Sequence, residues 1–135
     1  MRARLHPGVL AVIALGGAAG TLGRAAVAYA LPASADAFPW ATLMVNVVGS
    51  LIVGLVVVAA LERVAPSRYF RPLLATGLCG GLTTFSTFVV EADLLIKHGR
   101  TGTAALYVLV SLTGGVAAAR IGMLLARSAW SREAG

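Results

Sequence analysis

The sequence contains few charged residues. Aspartate, glutamate, lysine and arginine make up 12% of its 135 residues, whereas hydrophobic residues make up 59%. A soluble domain of this size carries about twice that charged fraction to cover its surface. Aromatic residues are also scarce at 7%, while the chain holds 16 glycines. This composition argues against a soluble domain and is typical of membrane helices that pack backbone against backbone.

Cysteine is almost absent as well. Cys79 is the single cysteine, so the chain can form neither an internal disulfide nor a metal site of the Cys-x-x-Cys kind. His6 and His98 stand far apart at the ends of apolar runs, where solvated histidines are expected rather than metal ligands. The sequence has no nucleophile and base pair and no glycine-rich phosphate loop ending in lysine. We therefore predict no catalytic residues and no enzyme activity.

Acidic residues are outnumbered, and the formal net charge is +6. The basic residues lie at the edges of apolar runs rather than in one patch, which indicates topology signals and headgroup contacts and disfavours nucleic-acid binding. Lys97 and Arg100 would lie on one side of the membrane. The other side would hold seven arginines, so the positive-inside rule predicts that both termini are cytoplasmic. These seven are Arg2, Arg4, Arg63, Arg68, Arg71, Arg127 and Arg132.

Four apolar segments are each about as long as the roughly 20 residues that cross a ~30 Å hydrocarbon core as a helix. They cover residues 9–31, 40–61, 73–96 and 103–126, and the short loops between them leave no room for a soluble domain. We predict one four-helix transmembrane domain over residues 1–135. The first segment has a competing interpretation as a cleaved signal peptide, which its length, its glycines and its internal Arg24 disfavour.

Polar residues inside the second and fourth segments are more informative than the apolar ones. Thr42 and Asn46 are four residues apart, and so are Tyr107 and Ser111, so each pair lies on one helix face. Asn46 is costly at membrane depth unless its amide is used, either in a hydrogen bond between helices or towards an aqueous path. The residue alone leaves these two roles equally open. Together the two faces could offer a column of N–H and O–H donors for an anion.

Two arginines lie within predicted spans. Arg24 in the first and Arg120 in the fourth each cost at least ~2.5 kcal/mol at the bilayer centre, less towards an interface. Each is expected to snorkel, to pair with an acid, or to face a wet vestibule, where it would concentrate anions. Glu91 and Asp93 in the third span are the candidate acidic partners.

The third span holds the least helix-like stretch of the chain. Gly77, Gly80 and Gly81 weaken the helix, and the hydroxyls of Thr83 and Thr84 can cap a restarted one. We therefore predict a broken helix near mid-membrane, where non-helical backbone usually marks an ion or substrate site. After the break, Phe85 and Phe88 are three residues apart with Ser86 and Thr87 between them. The edge of a phenyl ring can host a small anion, but spacing alone favours ordinary core packing for both rings.

Three sequence blocks carry a family resemblance. Residues 80–88, read as GGLTTFSTF, resemble the central signature of the small bacterial fluoride channels, the Fluc or CrcB family. Residues 20–24, GTLGR, resemble the glycine–arginine motif of that family's first helix, and residues 42–50, TLMVNVVGS, resemble its second-helix motif. With four spans of suitable length, the likeness covers nearly the whole chain.

The resemblance implies an all-α membrane protein of the bacterial plasma membrane, formed as an antiparallel, dual-topology dimer with two narrow pores that export fluoride passively from the cytoplasm. Carried over by motif, Arg24 would attract anions at a vestibule. Gly80 and Thr83 would hold a structural sodium ion at the dimer centre through backbone carbonyls. The positions implied to line the fluoride pore are Thr42, Asn46, Phe85, Ser86, Thr87, Phe88, Tyr107 and Ser111.

Some alternatives remain open at the level of sequence. The seven-to-two bias in basic residues favours one orientation, so the chain forms either an antiparallel homodimer despite the bias or a heterodimer with an oppositely oriented paralogue. A proton-coupled fluoride antiporter would use Glu91 as its titrating group. A small multidrug exporter would need an acid in its first span, which instead carries Arg24. A purely structural assembly protein would leave Asn46 and the two phenylalanines without a purpose.

Overall fold

The computed structural model describes residues 6–59 and 68–131, and within these ranges all regular structure is helical. Arg2, Arg4, Arg63 and Arg132 of the charge count lie outside the described residues. Six helical segments follow one another: α1 (Pro7–Ala30), α2 (Trp40–Val58), α3 (Pro72–Cys79), α4 (Gly80–Leu82), α5 (Phe85–Lys97) and α6 (Thr101–Ser131). The hydrogen bonding of α3 is π-helical, so it is slightly wider than an α-helix.

Four helical stretches are long and apolar enough to cross a membrane, which confirms the predicted all-α, four-span class. They are α1, α2, the α3–α5 stretch and α6. The observed bounds differ from the predicted ones at several ends. The last helix continues to Ser131 rather than stopping at residue 126, and α2 ends at Val58, beyond which residues 60–67 lie outside the described ranges.

Glycines set how closely these helices approach. Gly16 and Gly20 of α1 are buried against α3 and α4, and a Cβ on Gly20 would overlap the carbonyl oxygen of Leu78. Gly54 and Gly122 have the same role between α2 and α6. Side chains could not be added at these contacts without moving backbone, so the small-residue faces bring the helix pairs into direct backbone contact.

Between α4 and α5 the backbone is extended. Thr83 has φ −80° and ψ 156°, and Thr84 has φ −148° and ψ 126°. Gly80, in contrast, is helical at φ −63° and ψ −33°. The extended residues are therefore the two threonines rather than the glycines before them. Thr84 then begins α5 as its N-cap, since its hydroxyl accepts a hydrogen bond from the Thr87 amide at 3.2 Å.

The chain direction alternates from span to span, which defines two ends of the bundle. The first end holds the 31–39 loop and the turn at His98 and Gly99. The second end holds the N-terminus of α1, the N-terminus of α3 and the C-terminus of α6. Lys97 and Arg100 thus lie at the first end, and Arg68, Arg71 and Arg127 at the second.

Candidate functional site

Asn46 holds the extended backbone in place. Its Nδ2 donates to the carbonyl of Thr84 at 3.0 Å, and its Oδ1 accepts from the Thr84 amide at 2.8 Å. One side chain on α2 thus satisfies both backbone groups of a buried residue at the junction of α4 and α5. Of the two roles left open for Asn46, the hydrogen bond between helices is the one seen in the single chain, and one Nδ2 hydrogen remains for another acceptor.

These contacts leave two backbone carbonyls without their usual helical partners. In a continuous helix the carbonyl of Gly80 would accept from the Thr84 amide, which here donates to Asn46. The carbonyl of Thr83 would accept from the Thr87 amide, which here donates to the Thr84 hydroxyl. The Thr83 carbonyl oxygen instead lies 3.5 Å from a guanidinium nitrogen of Arg24, which is a long hydrogen bond. The carbonyl oxygens of Gly80 and Thr83 therefore lack their usual helical donors, and such oxygens are ligands of the hard type that suits a cation such as sodium.

Glu91 receives two hydroxyl donors from different helices. Thr42 of α2 donates to one carboxylate oxygen and Tyr107 of α6 donates to the other, both at 2.8 Å. Thr42 is buried at 5% exposure and Tyr107 is completely buried. A carboxylate with charge-assisted bonds on both oxygens is fixed in orientation, so this group ties α2, α5 and α6 together.

This arrangement corrects the predicted acidic partners of the intramembrane arginines. Glu91 is bonded to hydroxyls rather than to a basic residue, and Asp93 pairs with Lys97 at 2.7 Å on the exposed side of α5. Within the described ranges, neither Arg24 nor Arg120 forms an ion pair with an acid. Arg24 is half-buried and points to the helix interruption, whereas Arg120 is exposed on the outside of α6.

Two cavities have Thr84 in their linings. The first, which we name the arginine chamber, has a volume of about 450 Å³ and opens towards the 31–39 loop. Arg24 stands on one wall and Glu91 on another, and the chamber therefore combines a cation with several O–H groups in otherwise apolar surroundings. Its polar lining consists of Thr21, Arg24, Thr42, Thr84, Thr87 and Glu91.

The second cavity, the phenylalanine cleft, has a volume of about 340 Å³ and lies between α2, α5 and α6. The hydroxyl oxygen of Ser111 is fully enclosed and has no hydrogen-bond partner within the described part of the chain. A buried, unpaired hydroxyl is unfavourable unless a water or ligand reaches it. The cleft-lining residues with polar side chains or rings are Asn46, Ser50, Thr83, Thr84, Phe85, Phe88 and Ser111.

The two phenylalanines face different surroundings. Phe88 is 8% exposed and packs on Tyr107 with ring centroids 5.2 Å apart. Phe85 is 76% exposed, although its ring centroid is only 5.8 Å from that of Phe88. Both line the cleft, but Phe85 also projects beyond the surface of the single chain. One ring is thus a core residue of its own chain, and the other is available to a neighbour.

The remaining predicted positions fall around the N-cap of α5. The Thr84 hydroxyl donates to that of Thr87 at 3.0 Å and lies 3.4 Å from that of Ser86. Thr87 lines the arginine chamber, and Ser86 is exposed beside it. The cluster is a capping arrangement whose hydroxyls also border the chamber.

Sequence reasoning did not predict the surroundings of two of the residues at this site. Glu91 was treated as a partner for a basic residue, yet Thr42 and Tyr107 each begin one of the i, i+4 pairs singled out above, and that was the available signal. Ser50 lies one turn after Asn46 and also lines the cleft. This agrees with its position on the helix face of Thr42 and Asn46, which Ser50 continues one turn later.

The fold and the site together define a multi-pass membrane protein in which polar groups and aromatic rings from three helices converge on narrow cavities. The chain belongs to the CrcB-like protein family, described as Camphor Resistance (CrcB), which matches residues 11–123. This is a family of ion channels rather than enzymes, as expected from the absence of a catalytic motif, and the four apolar helices agree with a multi-pass bacterial membrane protein.

Several curated proteins are similar to this chain over most of its length. A protein of Mycobacterium bovis named fluoride-specific ion channel FluC 1 is 51% identical over 119 residues, which cover 87% of this chain and 89% of the relative. FluC of Prosthecochloris aestuarii is 42% identical, covering 89% and 93%. FluC 3 of Streptomyces avermitilis is 43% identical over 132 residues, covering 98% of this chain and 65% of that protein.

Proposed function

We propose that the protein is a fluoride channel that lets fluoride leave the cytoplasm passively. The observation that carries this proposal is a pair of cavities that share Thr84 in their linings, one with a guanidinium at its wall and the other with phenyl rings and an unpaired hydroxyl. An anion that loses water needs N–H or O–H donors along its path, and these cavities supply them in succession. The names of the similar proteins support fluoride as the ion.

The two cavities have different roles along the proposed fluoride path. Arg24 raises the local anion concentration in the arginine chamber, and Glu91 opposes it by fixed negative charge, so anions are attracted without being held tightly. In the phenylalanine cleft, the remaining N–H of the Asn46 amide and the Ser111 hydroxyl replace water around the anion. The positive edges of the phenylalanine rings tolerate a small anion. A larger anion would gain less from these short-range donors.

We infer that the active form is an antiparallel dimer with two pores and with the helix interruptions near mid-membrane. The exposure of Phe85 and the open side of the cleft both indicate that a second copy completes each path. Each pore would then contain Phe88 of one chain and Phe85 of the other. An antiparallel pair would also bring the two interruptions together at the bilayer centre.

The same pairing would also give a role to the carbonyl oxygens of Gly80 and Thr83. Two chains would contribute Gly80 and Thr83 twice, which gives four oxygens for one structural sodium ion. In a single chain the Arg24 guanidinium approaches the Thr83 carbonyl. We expect that contact to weaken when a cation is bound, because like charges repel.

Fluoride efflux from liposomes tests the proposal directly. The chain expressed and reconstituted alone is expected to release fluoride, measured with an electrode, and to release no chloride at the same internal concentration. Protein-free liposomes are the control for leak. Absence of fluoride efflux until a homologous second chain is added would contradict the homodimer and support the heterodimer. Equal rates for chloride would contradict a fluoride channel.

Proton coupling is the alternative that the position of Glu91 raises. Both of its oxygens accept hydrogen bonds from hydroxyls on neighbouring helices, which hold the carboxylate in one orientation as part of the packing between α2, α5 and α6. We therefore expect the efflux rate to be unaffected by an imposed pH gradient. Fluoride accumulation against its own gradient, driven by protons, would instead establish an antiporter.

The two phenylalanines are expected to respond differently to replacement. Phe85→Ile should reduce fluoride efflux with little change in thermal stability, because its ring is exposed in the single chain. Phe88→Ile should reduce efflux and also cost about 1–3 kcal/mol of stability, because its buried ring packs on Tyr107. Efflux and thermal denaturation measure the two effects, with Leu106→Ile on the exposed face of α6 as control. Wild-type efflux in Phe85→Ile would remove this ring from the path.

A further inference from the structure

Arg120 is a cation placed well inside the span of the longest helix. The 31 residues of α6 extend about 46 Å at 1.5 Å per residue, which exceeds the ~30 Å hydrocarbon core. Arg120 lies 11 residues before Ser131, or about 16 Å from that end of the helix. If α6 is centred on the bilayer, the Cα atom of Arg120 lies roughly 8 Å inside the hydrocarbon.

No carboxylate of the described chain is available to neutralise this arginine. Glu91 is bonded by Thr42 and Tyr107, and Asp93 is paired with Lys97. Asp36 lies at the opposite end of the bundle, where a hydrogen bond from Ser34 lowers its pKa and Arg100 adds to the effect. Within residues 6–59 and 68–131, therefore, no acid supplies a counter-charge for Arg120.

The membrane itself provides an anion of suitable chemistry at this end of α6. Arg120 is exposed on the outer face of α6, and it does not line either cavity of the proposed path. Helical side chains lean towards the helix N-terminus, so the guanidinium of Arg120 starts out directed towards the bilayer centre. Full snorkelling is therefore less favourable, and drawing a headgroup inwards is the other known way to accommodate such a charge.

A second arginine continues this face towards the headgroups. Arg127 is seven residues further on, two turns along the same side of α6, and about 6 Å from the helix end. It is also exposed, and it lies near the boundary of the hydrocarbon core. Guanidinium groups bind phosphate oxygens through two parallel N–H donors, a geometry that ammonium groups cannot reproduce.

We propose that Arg120 and Arg127 form a binding site for the phosphate of an anionic phospholipid in the leaflet at the C-terminal end of α6. The lipid phosphate enters below the usual headgroup level and its acyl chains lie along the exposed leucines of the same helix, among them Leu124. In an antiparallel dimer the two copies of the site would face opposite leaflets.

The test uses the full chain, purified in detergent as the assembled protein and stripped of lipid. Phosphatidylglycerol and phosphatidylcholine with identical acyl chains are titrated separately, with bound lipid counted by native mass spectrometry and stability followed by thermal denaturation. The wild type is expected to bind phosphatidylglycerol more tightly and to be stabilised by it. Arg120→Leu should weaken that binding about fivefold. Arg120→Lys should restore part of it.

Arg68→Leu is the matched control, since it removes the same charge from an exposed position at the same end of the bundle. It should leave phosphatidylglycerol binding unchanged. Equal loss in both variants would overturn the site by showing general attraction only, and wild-type binding in Arg120→Leu would do the same. Stabilisation by inorganic phosphate alone would also overturn the assignment to lipid. Reduced dimer content or fluoride efflux in Arg120→Leu with unchanged lipid binding would place Arg120 in the dimer interface or the ion path.

Discussion

Replacing Asn46 with leucine is expected to abolish measurable fluoride efflux and to destabilise the folded chain. Leucine fills a similar volume but cannot bond to Thr84, whose buried amide and carbonyl would both lose their partner. Each unsatisfied backbone group costs about 1–3 kcal/mol. The Thr84 amide would then be free to pair with the carbonyl of Gly80, which favours a continuous helix in place of the extended segment. Liposome efflux and thermal denaturation measure the two consequences.

Two variants separate the role of Asn46 from general effects of substitution in a membrane helix. Asn46→Asp keeps an acceptor for the Thr84 amide but loses the donor for its carbonyl, so intermediate stability and strongly reduced efflux are expected. Thr113→Val is the control, because its hydroxyl bonds only to the Leu109 carbonyl on the exposed side of α6. Normal efflux in Asn46→Leu would show that the extended segment does not depend on this side chain and that the amide is not needed for conduction.

The all-α, four-span class was predictable because twenty-residue apolar runs have no other stable form in lipid. The glycines and threonines of the third span also indicated where its helix would be interrupted. The low helix propensity of the glycines suggested an interruption that begins at Gly80, whereas the structure confines the extended backbone to Thr83 and Thr84. Asn46 stabilises the extended backbone at Thr84 by supplying the hydrogen bonds that it requires. A contact between residues 38 apart has no local sequence signature.

Partner choice for polar side chains was the least predictable part of the site. Charge alone suggested that Glu91 would pair with an arginine, but it accepts hydrogen bonds from two hydroxyls on neighbouring helices instead. Spacing placed Phe85 and Phe88 together and could not say that one is buried while the other projects from the chain. Both outcomes depend on how α5 is rotated against α6, which tertiary packing fixes.

Gly54→Ala is expected to have the second large effect, by changing the distance between α2 and α6. A Cβ at this position would overlap the carbonyl oxygen of Ala119 and lie 3.1 Å from the amide nitrogen of Met123, so backbone must move. Overpacking of this kind costs about 1–3 kcal/mol. The two helices also carry opposite walls of the phenylalanine cleft, with Asn46 on α2 and Ser111 on α6. Displacing them by even a fraction of an ångström should therefore lower efflux sharply.

Gly102→Ala is the matched control for this prediction, because a Cβ there would have no atom within 4 Å. Alanine has the higher helix propensity, so that variant should be as stable as the wild type or up to about 1 kcal/mol more stable, with unchanged efflux. If Gly54→Ala behaved like Gly102→Ala, close backbone contact between α2 and α6 would not set the width of the path. If Gly54→Ala kept its stability but passed chloride as well as fluoride, the contact would set selectivity through that width, since a wider cleft no longer favours the smaller anion.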